Sequence, residues 1–154
     1  MVKSIVIVGG SSDIAKSTIS SISTENYKFH ALVRDDSHTD ELSDLGVNVI
    51  LGDATSEEDI KNFISGVKES GEIHAILHCV GSFAVRPPHA MNKEAFEAVI
   101  STNLTSAFLT LSIAGKAMLS QGHGRMVFMS SVAGSLGLVT VSYTHLRAHE
   151  TVRN

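Results

Sequence analysis

The sequence predicts an α/β fold, a doubly wound parallel sheet between two helical layers, and three observations carry that prediction. Short apolar runs alternate with segments of helical periodicity along most of the chain. The runs are continuous rather than alternating, which marks strands buried on both faces. Each closes on glycine, serine or a charged residue, where a strand turns into the next segment. This order is the one that right-handed crossovers wrap around a parallel sheet.

Ile5-Val6-Ile7-Val8 with Gly9-Gly10 reads as the first strand and its turn, and helical patterning follows from about Asp13 to Ile22. "KFHALV", ending at Arg34-Asp35-Asp36, and "VNVIL", ending at Gly52-Asp53, are the second and third strands. Thr55 and Glu58 have the spacing of a capping box, and Ile60, Phe63, Ile64 and Val67 then repeat as the core face of a helix. "IHAILHCV" is a fourth buried strand, and "GSFAVRPPHAMN" is a loop by its glycine and paired prolines. From Asn92, the positions Phe96, Val99, Ile100, Asn103, Leu104, Ala107, Phe108 and Leu111 trace one stripe through a long helical region. "RMVFMSS" is the fifth strand.

At 154 residues the chain has room for one domain with a substantial core. Hydrophobic residues make up 43% and charged residues 18%, with a formal net charge of -4, a balance that favours neither nucleic acid nor an anionic membrane as partner. Cys79 is the single cysteine and no CxxC or Cys/His ligand spacing occurs, so a reducing, cytoplasmic setting is expected. Only four large apolar residues follow one another near the N-terminus, too few for a signal-peptide core or a membrane span. His145 and His149 stand one helical turn apart, but without a third ligand they read as solvated, and no metal is expected.

In an open parallel sheet, ligands bind beyond the carboxyl ends of the strands, so those ends carry the chemistry. At the first, "VGGSSDIA", Gly9 lets the backbone turn tightly and approach a pyrophosphate. The amides around Ser11, Ser12, Asp13 and Ile14 offer it donors and the positive end of a helix dipole. Arg34 after the second strand suits a ribose 2′-phosphate. Asp53, beside Ala54, suits an adenine amino group, and Cys79-Val80-Gly81 gives a close small-residue approach after the fourth strand. Singly, these are equally well a surface arginine, a helix-capping aspartate and a generic turn. In order, they outline a dinucleotide site.

Over residues 3–140 the chain resembles the short-chain dehydrogenase/reductase family. "VGGSSDIA" is similar to that family's TGxxxGIG motif with Gly9 as its first glycine, while Asp13 and Ala15 replace the second and third and Val8 replaces the threonine. "HCVG", His78 to Gly81, stands where the family has NNAG; "STNLTSAF" places Asn103 at its helix asparagine, and "RMVFMSSVAG" places Ser131 at its catalytic serine. The resemblance implies a Rossmann-type NAD(P)-binding domain that interconverts a small-molecule carbonyl and a secondary alcohol by hydride transfer. It also implies that Asn103 anchors a water in a proton relay, that Ser131 holds the substrate oxygen, and that the full-length parent is a homo-oligomer. Members that use NAD tend to carry an acid where this chain has Val33 and Arg34, which favours NADP(H). Asp35 and Asp36 follow closely and keep NAD(H) open.

The last residues depart from the family pattern. The family's tyrosine acts as general acid/base with a lysine one turn on, because a phenol of pKa about 10 needs roughly 4 kcal/mol of phenolate stabilisation to work near neutrality. Tyr143 falls twelve residues after Ser131, while the family's tyrosine falls at the position of Thr144. The lysine position is Arg147 counted from Tyr143 or Ala148 counted from Thr144, and an arginine does not simply replace an ammonium that also bonds a ribose. With "SYTHLRAHETVRN" so unlike the rest, residues 1–140 are read as a partial NAD(P)-binding domain and 141–154 as an atypical, non-native tail. Three expectations follow: an NADP(H)-dependent oxidoreductase, a non-catalytic NAD(P)-binding regulatory protein on the same fold, or a fragment of such an enzyme that is inert alone.

Overall fold

The computed structural model describes residues 3–22 and 26–131. Among these residues, five strands form one parallel sheet: β1 (Lys3–Val8), β2 (Tyr27–Val33), β3 (Asn48–Leu51), β4 (Ile73–His78) and β5 (Arg125–Phe128), in the order β3-β2-β1-β4-β5. The winding therefore reverses between β1 and β4, the neighbours at the centre. Between the strands run α1 (Asp13–Ser21), α2 (Thr39–Asp44), α3 (Glu57–Ser70) and α4 (Lys93–Ile100). A π-turn at Ser101–Thr105 joins α4 to α5 (Ser106–Gln121).

The pleat sends alternate side chains to opposite faces, and each face has its own core. On one, Val6, Val8 and Leu32 pack with Ile60, Phe63, Ile64 and Val67 of α3 and with Ala114, Ala117 and Met118 of α5. On the other, Ile7, Phe29, Ala31 and Val33 meet Ala15 and Ile19 of α1 and Leu42 of α2. At roughly 1.5–3 kcal/mol for each large aliphatic side chain taken from water, these layers are what hold the helices on the sheet. The α/β fold expected from the apolar runs is thus the fold observed; α2, with its polar sequence "TDELSD", carries one buried anchor, Leu42, and gave no periodic signal.

Two local expectations are corrected. The cap of α3 is Ser56, whose Oγ accepts from the Asp59 amide at 3.2 Å, and not Thr55. Thr55 is already engaged, because its amide and its hydroxyl both donate to Asp53 Oδ1 at 2.8 Å, closing an Asx turn that delays the helix by one residue. The second correction concerns the stripe through α4 and α5. Leu104, Phe108 and Leu111 are more than half exposed, and the buried face of α5 is Ser106, Thr110, Ala114, Ala117 and Met118. Small residues allow close approach to α3 and β4, so the face that packs is not the face with the bulkiest apolar side chains. The run Lys93–Gln121 has the length and apolarity of a membrane span, and its residues Ala114, Ala117 and Met118 pack in the core.

The sheet also buries two imidazoles. His30 of β2 and His78 of β4 are 1% and 2% exposed; loss of hydration holds both below the usual histidine pKa, His78 at about 4. The unfolded chain binds a proton on His78 below about pH 6.5, whereas the folded chain does so only below about pH 4. Stability is therefore full above pH 6.5 and falls as the pH drops through that window. Chemical denaturation at pH 7 and pH 4.5 is expected to differ by about 2–3 kcal/mol from His78, with His30 acting in the same direction. Equal stability at the two values would contradict neutral burial.

Candidate functional site

At the point where the winding reverses, the segments that follow β1 and β4 approach more closely than a side chain on Gly9 would allow. The Cys79 amide donates to the Val8 carbonyl at 2.8 Å, and a Cβ on Gly9 would lie 2.9 Å from both the amide nitrogen and Cγ2 of Val80. Gly9 also has φ +86°, a conformation that strains any other L-residue. Its amide and that of Gly10 donate to the Leu32 carbonyl at 3.0 and 3.1 Å, and a Cβ on Gly10 would meet Ala31 Cβ at 2.6 Å. Chain direction is thereby set, and α1 begins with Ser12 as its cap, its Oγ accepting from the Ala15 amide at 3.3 Å.

The carboxyl ends of β1 to β4 surround a cavity of about 650 Å³, within the range of small-molecule sites. Its wall contains Gly9, Ser11, Ser12, Arg34, Asp53, Ala54, Cys79, Val80 and Gly81, all singled out from the sequence. The N-terminus of α1 opens on this space through Ser11 and Ser12. Asp13 and Ile14 are not among the wall residues. The Asp13 carboxylate is in solvent, 3.5 Å from Lys16 Nζ, and Ile14 is half exposed. Arg34 is exposed at the end of β2, and beside it Asp35 Oδ1 accepts from the amide and hydroxyl of Ser37, which hold its carboxyl below the usual range. Burial pushes the Cys79 thiol up, against a hydrogen bond from Ser12, so the wall there is uncharged.

Asp35, weighed as a ribose acceptor, and Thr55, expected as a helix cap, also stand in the wall; Leu32, Gly52, Ser82, Ala98, Ser101 and Thr102 complete it and were not singled out. For Ala98, Ser101 and Thr102 no local signal exists, because the end of α4 reaches the cavity only when the helix folds back over β4. Asn103, one position of the helical stripe, lies at an exposed position on the π-turn. It is nevertheless fully used: Oδ1 accepts from the Ser82 amide at 3.1 Å, and Nδ2 donates to the Ser82 carbonyl at 2.7 Å and to the Val99 carbonyl at 2.8 Å. A Cβ on Gly81 would approach Asn103 Oδ1 to 3.3 Å, so the loop after β4 is clamped at its glycine. Ser131 follows β5 at its carboxyl end, as the strand order implies, and is exposed. Tyr143, Thr144, His145, Arg147, Ala148 and His149 lie outside the described residues.

Comparison with known proteins places this geometry. A family model described as short chain dehydrogenase matches residues 3–144, a span that includes Tyr143. The chain is 26% identical over 145 residues to a tropinone reductase homolog of Arabidopsis thaliana, covering 89% of this chain and 54% of that protein. It is also 26% identical to the 3-oxoacyl-[acyl-carrier-protein] reductase MabA of Mycobacterium tuberculosis, covering 88% and 53%. The chain thus spans about half the length of the curated relatives it matches. Among solved structures, ElxO with NADP bound superposes with a TM-score of 0.85 at 20% identity over 97% of this chain and 63% of that one, a likeness of fold.

Replacing Gly9 with alanine tests the reversal. The variant G9A is expected to lose about 2 kcal/mol or more in chemical denaturation, from the positive φ together with the overlap on Val80. Wild-type stability in that variant would mean that β1 and β4 are not in this close register.

Proposed function

The chain belongs to the short-chain dehydrogenase family, and from that premise we propose that its cavity holds NADP(H) for an oxidoreductase interconverting a small-molecule carbonyl and a secondary alcohol. The observation that carries the cofactor preference is the pair at the end of β2. Arg34 offers a planar, permanently charged donor at the cavity wall, while the neighbouring Asp35, on the same wall, has its Oδ1 engaged by Ser37. An NAD site needs a free acid there to accept from the ribose hydroxyls, and an NADP site needs a cation for the 2′-phosphate. The NADP bound to the similarly folded ElxO supports the same reading.

The residues present suit the cofactor. The floor at Gly9 is low because no Cβ stands on it, and the N-terminus of α1 with Ser11 and Ser12 favours the pyrophosphate. Asp53 accepts hydrogen bonds at the rim, where an adenine amino group has a partner, and the uncharged surface of Cys79, Val80 and Gly81 lines the inner wall. When bound, the nicotinamide supplies or takes the hydride. Asn103 keeps the Ser82 loop in place, Ser131 donates its hydroxyl proton to the substrate oxygen, and Tyr143 transfers the proton to or from that oxygen. The exposed side chains of Leu104, Phe108 and Leu111 offer an apolar face in keeping with a homo-oligomer. The second reading, cofactor binding without turnover, is favoured by Arg147 standing where the family's lysine would follow Tyr143.

Fluorescence titration of the chain with NADPH and with NADH checks the proposal. NADPH is expected to bind more tightly, and Arg34→Asp to reverse the order with roughly a ten- to hundred-fold loss for NADPH, the scale of a hydrogen bond to a charged group. Equal binding of the two cofactors would overturn the preference, and binding of neither would overturn the site. Carbonyl reduction with NADPH would rule out the non-catalytic reading.

A further inference from the structure

The π-turn between α4 and α5 is secured by a polar cluster that the proposed chemistry does not use. In an α-helix the Ser106 amide donates to the carbonyl of Thr102, four residues back. Here it donates to Ser101, five back, which leaves the Thr102 carbonyl without its helical partner. The Ser106 hydroxyl fills the gap, donating to the Thr102 carbonyl at 2.5 Å.

That bond determines the next ones. A serine hydroxyl has a single proton, and Ser106 has given its own to Thr102. Its 3.2 Å contact with His78 Nε2 is then a hydrogen bond only if Nε2 carries the proton and donates. Nδ1 of the neutral ring is left as an acceptor, and the Thr110 hydroxyl stands 3.2 Å from it as donor. Ser106 and Thr110 are fully buried with His78, and the Phe128 ring packs tilted against the imidazole at 5.4 Å between centroids. Every proton in the set has one acceptor.

The cluster sits where it governs the cavity wall. His78 is the last residue of β4, so the wall residues Cys79 to Ser82 follow directly from it, and its carbonyl accepts from the Met129 amide at 3.1 Å beyond β5. On the other side, the π-turn places Ser101 and Thr102 in the same wall and Asn103 on Ser82. We propose that His78, Ser106 and Thr110 are positioning residues that maintain the π-turn and thereby keep Asn103 clamped on the Ser82 loop of the cofactor cavity. The part that concerns the cavity rests on the function proposed above; the part that concerns the π-turn does not. Without the Ser106 hydroxyl, the helix regains its Thr102 bond by returning to α register, and a one-residue slip turns Asn103 by about 100° away from Ser82.

The test uses NMR on the full chain and NADPH titration of the same samples. Wild-type spectra are expected to show His78 neutral with the proton on Nε2, and the Asn103 side-chain amide slowed in hydrogen exchange. Ser106→Ala is expected to shift and deprotect the Asn103 amide and the Ser82 amide, and to weaken NADPH by roughly two- to ten-fold, the scale of one hydrogen bond. Thr110→Val, close in shape, is expected to disturb the His78 tautomer and the same two amides, and Thr110→Ser to restore both. Val67→Ala in the α3 core serves as the comparator, losing stability with those signals and the NADPH affinity unchanged. A proton on Nδ1 alone would overturn the proposal. So would wild-type Asn103 and Ser82 signals in both Ser106→Ala and Thr110→Val, or equal movement of them in Val67→Ala. If the wild-type chain binds no NADPH, the cofactor reading falls while the NMR arms still decide the role of the cluster.

Discussion

The contact on which the remaining architecture depends is the close pairing of β1 with β4 at their carboxyl ends. Two central strands whose following segments leave in opposite directions must part at that point, and the gap they leave is the cavity. Their backbones are nevertheless in bonding contact right up to the divergence, through the Cys79 amide and the Val8 carbonyl at 2.8 Å. Such an approach tolerates no side chain on Gly9, and the glycine's positive φ sends the chain under α1. The low floor, the position of the α1 N-terminus and the inner wall all follow from that one constraint.

Polar side chains around the cavity bond neighbouring backbone and hydroxyl groups even where they are exposed. Asp53 ties up Thr55, Asp35 ties up Ser37, and Asn103 satisfies both backbone groups of Ser82. Each such exposed bond contributes only about 1 kcal/mol, so these pairings matter for geometry more than for stability. At His78 the same rule reaches the core. Burying an imidazole between β4 and α5 is tolerable because two hydroxyls complete it, which is why the inner face of α5 carries serine and threonine where leucine would otherwise pack.

The misplaced helical stripe has its explanation here. Periodicity finds the face with the greatest apolar bulk, and on α4 and α5 that face includes Leu104, Phe108 and Leu111, all largely exposed in the single chain. The face that packs is chosen instead by close approach and by the needs of one histidine, neither of which is encoded in local hydrophobicity. In α3 no such competing demand exists, and Ile60, Phe63, Ile64 and Val67 are buried as their spacing implies.

By itself the sequence determined the strands, their order along the chain and the residues at their carboxyl ends, because burial on both faces writes itself as unbroken apolar runs closed by turn residues. Gly9, Arg34, Asp53 and Gly81 were legible for that reason. Only the tertiary structure decided that Ala98, Ser101 and Thr102 share a wall with them, that Asn103 grips Ser82, and that Asp35 Oδ1 takes Ser37 as its partner. Those relations join residues far apart in the chain, or choose among several partners within reach. A hydrogen bond has no sequence signature until folding has brought its donor and acceptor together.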